Sequence, residues 1–238
     1  SALLIPEEFG GLGLDLLFAT AVSQSLGGGV APISYTGSFV MAPLAISHGG
    51  SKKQKEKYLT KMSENSIRFG VGFSEYIGAR DGSAIEIKNN KISGRALFVL
   101  DAQDASHLMF ADSSGAIGIV ASDAPGVEII QLTAVDKTRS YSEIKLNNVD
   151  VDVLELTISS KDAINKSIDG GRIILAADSI GASQRLIDKA VEYSKERKQF
   201  GRVIGSFQAV KHMCAEMTSD LEPCYAMVWH AAHCFDNS

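Results

Sequence analysis

The residues best placed to do chemistry are Arg197-Lys198-Gln199-Phe200-Gly201 and, after a short connection, Ser206-Phe207-Gln208-Ala209-Val210-Lys211-His212. A helix precedes them from about Arg172, with Ile173, Ala177, Ile180, Ile187 and Val191 at helical spacings. Gly201 is a stop signal just past Arg197. Ser206 is an expected N-cap for a second helix that carries Phe207, Val210, Cys214 and Met217 on one face. Arg197 is then expected at one helix's end and Gln208 near the next one's start. A guanidinium fork matches a phosphate, and a helix N-terminus adds exposed N–H groups, so the hairpin is a candidate anion site. The alternative is that Arg197 only complements a helix C-terminus and Gln208 is surface polarity.

Other chemistries are poorly supported. There is no Gly-x-Ser-x-Gly for an esterase elbow. Gly27-Gly28-Gly29 and Gly10-Gly11-Leu12-Gly13 lack the spacing of a dinucleotide or phosphate loop and read as joints between helices. Cys214, Cys224 and Cys234 are too few and too evenly spaced for a zinc site, and buried free thiols are expected. His230 and His233, beside Cys234, are given a structural role, because no carboxylate or second helix completes a ligand set.

The elements that must position the hairpin fall into three regimes. Residues 1–65 read as helices with Gly-rich joints, at about Asp15–Leu26, Thr36–Ser47 and Ser51–Ser63. Between 66 and 158 the period shifts towards two. Strands are expected at Ile67–Phe73, Ile85–Ile87, Leu97–Leu100, His107–Ala111, Ile117–Ala121, Val127–Ile130 and Ser142–Leu146, a barrel or sandwich. Helical periodicity returns over 159–238, where Pro223 should kink or interrupt the last helix. The layout is α+β: a helical N-terminal domain, a β middle domain and a C-terminal helical bundle. The formal charge of −5 over 238 residues argues against a nucleic-acid surface, and no apolar run approaches the ~20 residues of a membrane span. The Lys52, Lys53, Lys55 and Lys57 cluster reads as a solvated helix face. With no leader pattern at the start, a cytoplasmic enzyme subunit is expected. Both ends look cut.

The order Tyr-Ser-x-x-Arg-x-Gln-Phe-Gly, then Ile-Gly-x-Phe-Gln-x-Val-Lys-His, resembles the second signature of the acyl-CoA dehydrogenase family. Leu4–Gly13 is similar to that family's early Pro-Glu-Glu-x-Gly-Gly-x-Gly turn, Gly49–Leu59 to its Gly-Ser-x-x-Gln-Lys-x-x-Tyr-Leu helix, and Asp123–Val127 to the link before its last middle-domain strands. The resemblance implies the three-part fold, with the first helices and the last half of the bundle absent. It also implies FAD as cofactor, an acyl-CoA substrate, an electron-transfer flavoprotein or similar acceptor, and a homodimer or tetramer, with a hetero-oligomer as the other possibility. By the same resemblance Arg197, Gln199, Phe200, Phe207 and Gln208 touch FAD bound mainly by a neighbouring subunit, Arg197 on the pyrophosphate and Gln208 towards the adenosine half.

The first signature is degenerate. Where the family has Ser/Thr-Glu-Pro and then Ala-Gly-Ser-Asp, this chain has Phe73-Ser74-Glu75-Tyr76 and then a run to Ser83. Phe73 and Ser74 are implied flavin contacts and Ser83 an implied acyl-CoA contact; Arg139 could help orient CoA or support the interdomain seam, and the seam is the favoured reading of the two. The family's Gly-x-Lys-x-Trp-Ile-Thr becomes Gly94–Leu100, so Phe98 stands for the flavin-lining Trp and Leu100 for the Thr, with no hydroxyl; both could equally be core-facing strand residues. Desaturation also needs a carboxylate base. At the position used by isovaleryl-type members this chain has Gly171, and Asp178 lies roughly 10 Å along the helix axis from it. No catalytic residue is named. The expected activity is FAD-dependent desaturation of an acyl-CoA thioester; the alternative is a non-catalytic partner subunit in a mixed oligomer.

Overall fold

Apolar residues over 69–150 build one sheet whose central strands, at 69–72, 107–111 and 117–121, are buried on both faces while its outer strands keep exposed residues. The computed structural model describes residues 2–74, 76, 84–155 and 159–237. The strands are β1 (Phe69–Gly72), β2 (Ala84–Lys88), β3 (Lys91–Leu100), β4 (His107–Ala111), β5 (Ile117–Ala121), β6 (Val127–Gln131), β7 (Tyr141–Asp150) and β8 (Asp152–Val153), in the order β6-β7-β3-β1-β4-β5-β8 with β2 on β3. Among the described residues only the β1–β4 pair of this sheet is parallel (Phe69↔His107 to Gly72↔Phe110). Period two sends β4 residues alternately to two apolar clusters. Met109 and Ala111 join Phe69, Val71 and Phe73 against Met41, Ala45 and Leu59, while Leu108 and Phe110 join Ile85, Ile92, Val99 and Ile144. Residues of β2, β3 and β7 meet those of β4 and β5 in the second cluster, so the sheet folds back on itself, as the strand spacing predicts.

The helices are α1 (Leu16–Gly29), α2 (Ala42–Gly49), α3 (Lys52–Ser63), α4 (Ser160–Glu196) and α5 (Gln208–Asp236). A π-helical stretch, Gly37–Met41, leads into α2. A capping box starts α3: the Gln54 amide oxygen accepts from the Ser51 N–H at 3.2 Å. In the Gly10–Gly13 turn, Gly10 (φ 81°) and Gly13 (φ 58°) adopt left-handed backbone, which a side chain would strain.

Contacts divide the chain into two compact units, 1–15 with 32–172 and 16–31 with 173–238. The second unit therefore recruits α1. Leu16 and Leu17 donate their N–H groups to the Asp236 carboxylate at 2.8 and 3.0 Å, Ser23 donates to the Ile174 carbonyl at 2.8 Å, and the Trp229 indole donates to Gln24 at 3.1 Å. Three local expectations are corrected. Gly27–Gly29 are not a joint but the last turn of α1, where Gly27 lies so close to α4 that a Cβ would sit 2.0 Å from the Asp178 carbonyl oxygen. Pro223 does not interrupt α5, because Leu221, Val228 and Ala232 are buried on either side of it. The cysteines are free, but Cys214 and Cys224 are only half-buried and Cys234 is exposed.

Candidate functional site

The hairpin is built from α4 outward. The helix stops at Glu196, and the Arg197 N–H still reaches the Tyr193 carbonyl at 2.9 Å. Two short strands follow, β9 (Lys198–Gln199) and β10 (Arg202–Val203), in the register Arg202↔Gln199 and Val203↔Lys198. The two residues between them, Phe200 (φ 52°) and Gly201 (φ 79°), both have positive φ, the condition for the tight turn that matches strand twist. Such backbone costs a non-glycine residue about 1–2 kcal/mol. The strained Phe200 side chain is 91 % exposed. The Ile204 N–H closes the base of the hairpin on the Arg197 carbonyl at 2.8 Å.

A short 3₁₀ turn, Ile204–Ser206, then delays α5 to Gln208. Ser206 is consequently not an N-cap: its hydroxyl donates to the Val203 carbonyl at 2.7 Å, and Phe207 holds the cap position without a side-chain bond. Arg197, Gln199 and Gln208 are exposed, and the Gln199 amide donates to the Lys198 carbonyl at 2.8 Å. Phe207 is half-buried, edge-on to Phe200 with ring centres 6.1 Å apart, and the Arg202 guanidinium lies 4.0 Å over its centre. Arg202 escaped the sequence reasoning. The tight turn returns it towards the start of the hairpin, and Phe200-Gly201 was the signal for that turn.

In the first unit Phe98 sits in a bulge of β3, between Ala96 and Val99, with φ 54° and a side chain 46 % exposed. It borders a cavity of 340 Å3 with Leu132, Thr133, Ala134 and Tyr141. Ser74 donates to the Leu97 carbonyl at 2.6 Å, clamping the turn after β1 onto this bulge. Phe73 is buried in the helix-side cluster, and Leu100 packs against it. Arg139 pairs with Asp136 at 3.6 Å and bears electrostatically on Asp101. Burial raises the Asp101 carboxyl above its usual range, opposed by N–H bonds from Gly37 and Ser38, a bond from Ser34 and the charge of Arg139. Ser83 lies outside the described residues, as does Glu75. Gly171 is buried, and a Cβ there would lie 2.9 Å from both Cγ and Sδ of Met41.

The hairpin and the Phe98 cavity, each taken by itself, offer different chemistry. The hairpin offers an exposed guanidinium, an exposed aromatic ring and a stacked Arg202–Phe207 pair, the donors and planes that a phosphate-bearing dinucleotide uses. The Phe98 cavity offers a half-exposed ring and hydroxyl groups at an apolar wall. No group of three or more His, Cys, Asp or Glu side chains suited to a metal occurs among the described residues. Nor is any helix among them long and apolar enough to cross a membrane.

Comparison with known proteins agrees along the chain. Residues 1–66 match the acyl-CoA dehydrogenase N-terminal domain and residues 162–238 the acyl-CoA dehydrogenase C-terminal domain. A 3-(aryl)acrylate reductase of Clostridium sporogenes is 31 % identical over 257 residues, covering 98 % of this chain and 67 % of the relative. The caffeyl-CoA reductase-Etf complex subunit CarC of Acetobacterium woodii is 28 % identical, with 98 % and 67 % covered. Among solved structures, a glutaryl-coenzyme A dehydrogenase in complex with glutaryl-CoA superposes with a TM-score of 0.87 at 26 % identity, over 99 % of this chain and 65 % of that one. The chain thus spans about two thirds of the length of these relatives.

Proposed function

The chain belongs to the acyl-CoA dehydrogenase family, and from that premise we propose that it is an FAD-dependent subunit acting on the Cα–Cβ bond of an acyl-CoA thioester. The observation that carries the proposal is the hairpin 197–207, where an exposed Arg197 stands near a strained Phe200 whose apolar ring is left 91 % exposed. Strain of this kind persists where surrounding structure enforces it, and it concentrates at binding sites. Arg197 would hold the pyrophosphate, Gln208 the adenosine half, and Phe200 and Phe207 the flanking planes, on FAD bound by a second copy of the chain. A dimer or larger assembly follows from such sharing. Ser74 and Phe98 would shape the ring end, and Arg139 would orient the thioester's CoA part. When bound, FAD supplies the hydride acceptor or donor of the reaction.

One relative is named as part of an Etf complex, which supports an electron-transfer flavoprotein as the partner. Two are named reductases, so the reaction's direction would follow the electron partner. The proton-transfer group is the weak point. Gly171 cannot take a proton, and Met41 fills the space a side chain there would need. That observation favours a second reading, a non-catalytic partner subunit with the same flavin-binding hairpin.

FAD separates the flavoprotein proposal from a purely structural chain. Added FAD should raise the melting temperature, because a ligand that binds only the folded state stabilises it by mass action, by about 2.7 kcal/mol at a hundredfold excess over Kd. Arg197→Ala should weaken FAD binding by about 1.5–3 kcal/mol, the scale of a hydrogen bond to a charged group. No melting shift together with no flavin absorbance sinks the proposal. Bleaching of bound flavin by any of a panel of acyl-CoAs then selects the enzyme over the non-catalytic partner.

A further inference from the structure

We propose that the lysine face of α3 is a docking surface for an acidic protein partner, one that presents a row of carboxylates to it. The inference goes beyond the flavoprotein reading and needs no cofactor. Between 52 and 68 lie six cations, Lys52, Lys53, Lys55, Lys57, Lys61 and Arg68, against two carboxylates, Glu56 and Glu64, in a chain whose net charge is −5. Helical spacing turns Gln54, Tyr58, Leu59 and Met62 into the core and leaves the lysines on the solvent side. Lys57 is held by Asp152 at 2.6 Å. Lys52, Lys53, Lys55 and Lys61 pair with no described carboxylate.

Neither folding nor solubility accounts for this arrangement. Lys52, Lys53 and Lys55 crowd the start of α3, whose first turn holds no acidic residue, at the positive end of the helix dipole. Lys53, Lys57 and Lys61 follow at intervals of four, where like charges oppose the helix. In a chain with an excess of carboxylates, lysines bring the net charge nearer zero and so work against solubility. Their field reaches two histidines on neighbouring elements. Burial is the larger cause that holds His48 and His107 below their usual range; Lys166 and Lys55 add to it at His48, and Lys57 and Lys61 at His107, where Asp123 opposes them. A field of this sign steers an acidic surface into contact and fixes its register. Because α3 sends its apolar residues inward, the face has nothing to insert among lipid tails. Nor does it expose an aromatic ring on which a nucleic-acid base could stack.

The test uses the full chain, a fluorescein-labelled poly-glutamate peptide and a triple charge reversal, Lys52→Glu with Lys53→Glu and Lys61→Glu. These three positions are exposed, and the bond from Lys57 to Asp152 is left in place. The unaltered chain should bind the peptide despite its own negative charge. Added salt should release it, as the Debye length shrinks from about 10 Å at ~0.1 M to about 3 Å at ~1 M. The reversed face should bind about tenfold more weakly. Lys137→Glu with Lys161→Glu and Lys189→Glu, exposed positions elsewhere, changes the net charge equally and should keep the affinity within about twofold. No binding by the unaltered chain overturns the proposal, as does binding that survives high salt or an equal loss in the two variants. Vesicles of phosphatidylserine and phosphatidylcholine in equal parts, and a duplex DNA, serve as competing polyanions; stronger binding of either one overturns the choice of a protein partner. Should the reversed face misfold, Lys52→Gln with Lys53→Gln removes charge without reversing it and should weaken peptide binding about threefold, and unchanged affinity there overturns the proposal.

Discussion

Glycine at 171 shows how one residue bears on both chemistry and packing. That position 171 can carry no proton is legible in the sequence, but the packing that leaves no room for a side chain there is not, because Met41 comes from 130 positions upstream. Two effects compete when Gly171 becomes Ala. The helix gains up to about 1 kcal/mol from the better helix former. The new methyl must displace Met41 from 2.9 Å, and overpacking costs about 1–3 kcal/mol. Methionine yields more easily than branched side chains, which holds the cost to about 2 kcal/mol rather than 3. The expected result for Gly171→Ala is a net loss of about 1 kcal/mol in urea unfolding, and a gain in stability would show that Met41 has room to move. Phe98 and Leu100 make the same point about legibility. Spacing placed both on a strand, yet one lies half-exposed at a bulge and the other packs on the core. A bulge shifts the face of residues without changing the apolar pattern, so a one-dimensional period does not reveal it.

Among elements, α3 was the most legible, since its capping box and apolar spacing are local signals. Its anchorage was not. Gln54, Lys57 and Tyr58 all converge on Asp152 just beyond β7, with donor distances of 2.8, 2.6 and 2.6 Å. Burial, reinforced by the bond to Asp152, pushes the Tyr58 phenol up to about 12. Burial alone would raise the Asp152 carboxyl, but the bonds from Lys57, Tyr58 and Gln54 outweigh it and hold it below its usual range. The signs set two limbs of pH dependence. The unfolded phenol loses its proton near pH 10 while the folded one keeps it, so stability should fall as pH rises from about 10 to 12. On the acid side, stability held by ionised Asp152 should be lost as pH falls through and below the ordinary carboxylate range. Between the limbs a smaller fall in melting temperature is expected as pH drops through about 6.5, because burial holds His48 and His107 below their usual range and the unfolded chain takes up those protons first. Tyr58→Phe should cost about 1–2 kcal/mol, because it leaves Asp152 one donor short, and should shrink the alkaline limb. An alkaline limb of undiminished size in that variant would assign it to another group. The hairpin after α4 divides similarly: the turn residues Phe200-Gly201 announce a reversal, whereas the 3₁₀ turn that displaces Ser206 from the cap carries no such mark.

At the scale of the molecule, chain order predicts the succession of helices, strands and helices but not which of them pack together. The first helix joins the last two because of contacts separated by more than 150 positions in the chain, beyond the reach of any local pattern. Its crossing with α4 is made by absent side chains. A Cβ at Gly27 would lie 2.0 Å from the Asp178 carbonyl oxygen, and one at Gly181 would lie 1.9 Å from that of Gln24. Backbone atoms cannot step aside as Met41 can, so Gly181→Ala should cost about 3 kcal/mol, the upper end for overpacking. The start of the same helix is also tied to the far end of α5. Asp236 accepts from both Leu16 and Leu17 N–H groups and places a negative charge at the positive end of the α1 dipole. Asp236→Ala should therefore lower stability by about 1 kcal/mol, the usual worth of a cap. Amide exchange separates this from a general loss: Leu16 and Leu17 should exchange faster while the strand amides of β4 keep their protection. Equal acceleration in β4 would mean that Asp236 acts on the whole fold rather than on the end of one helix.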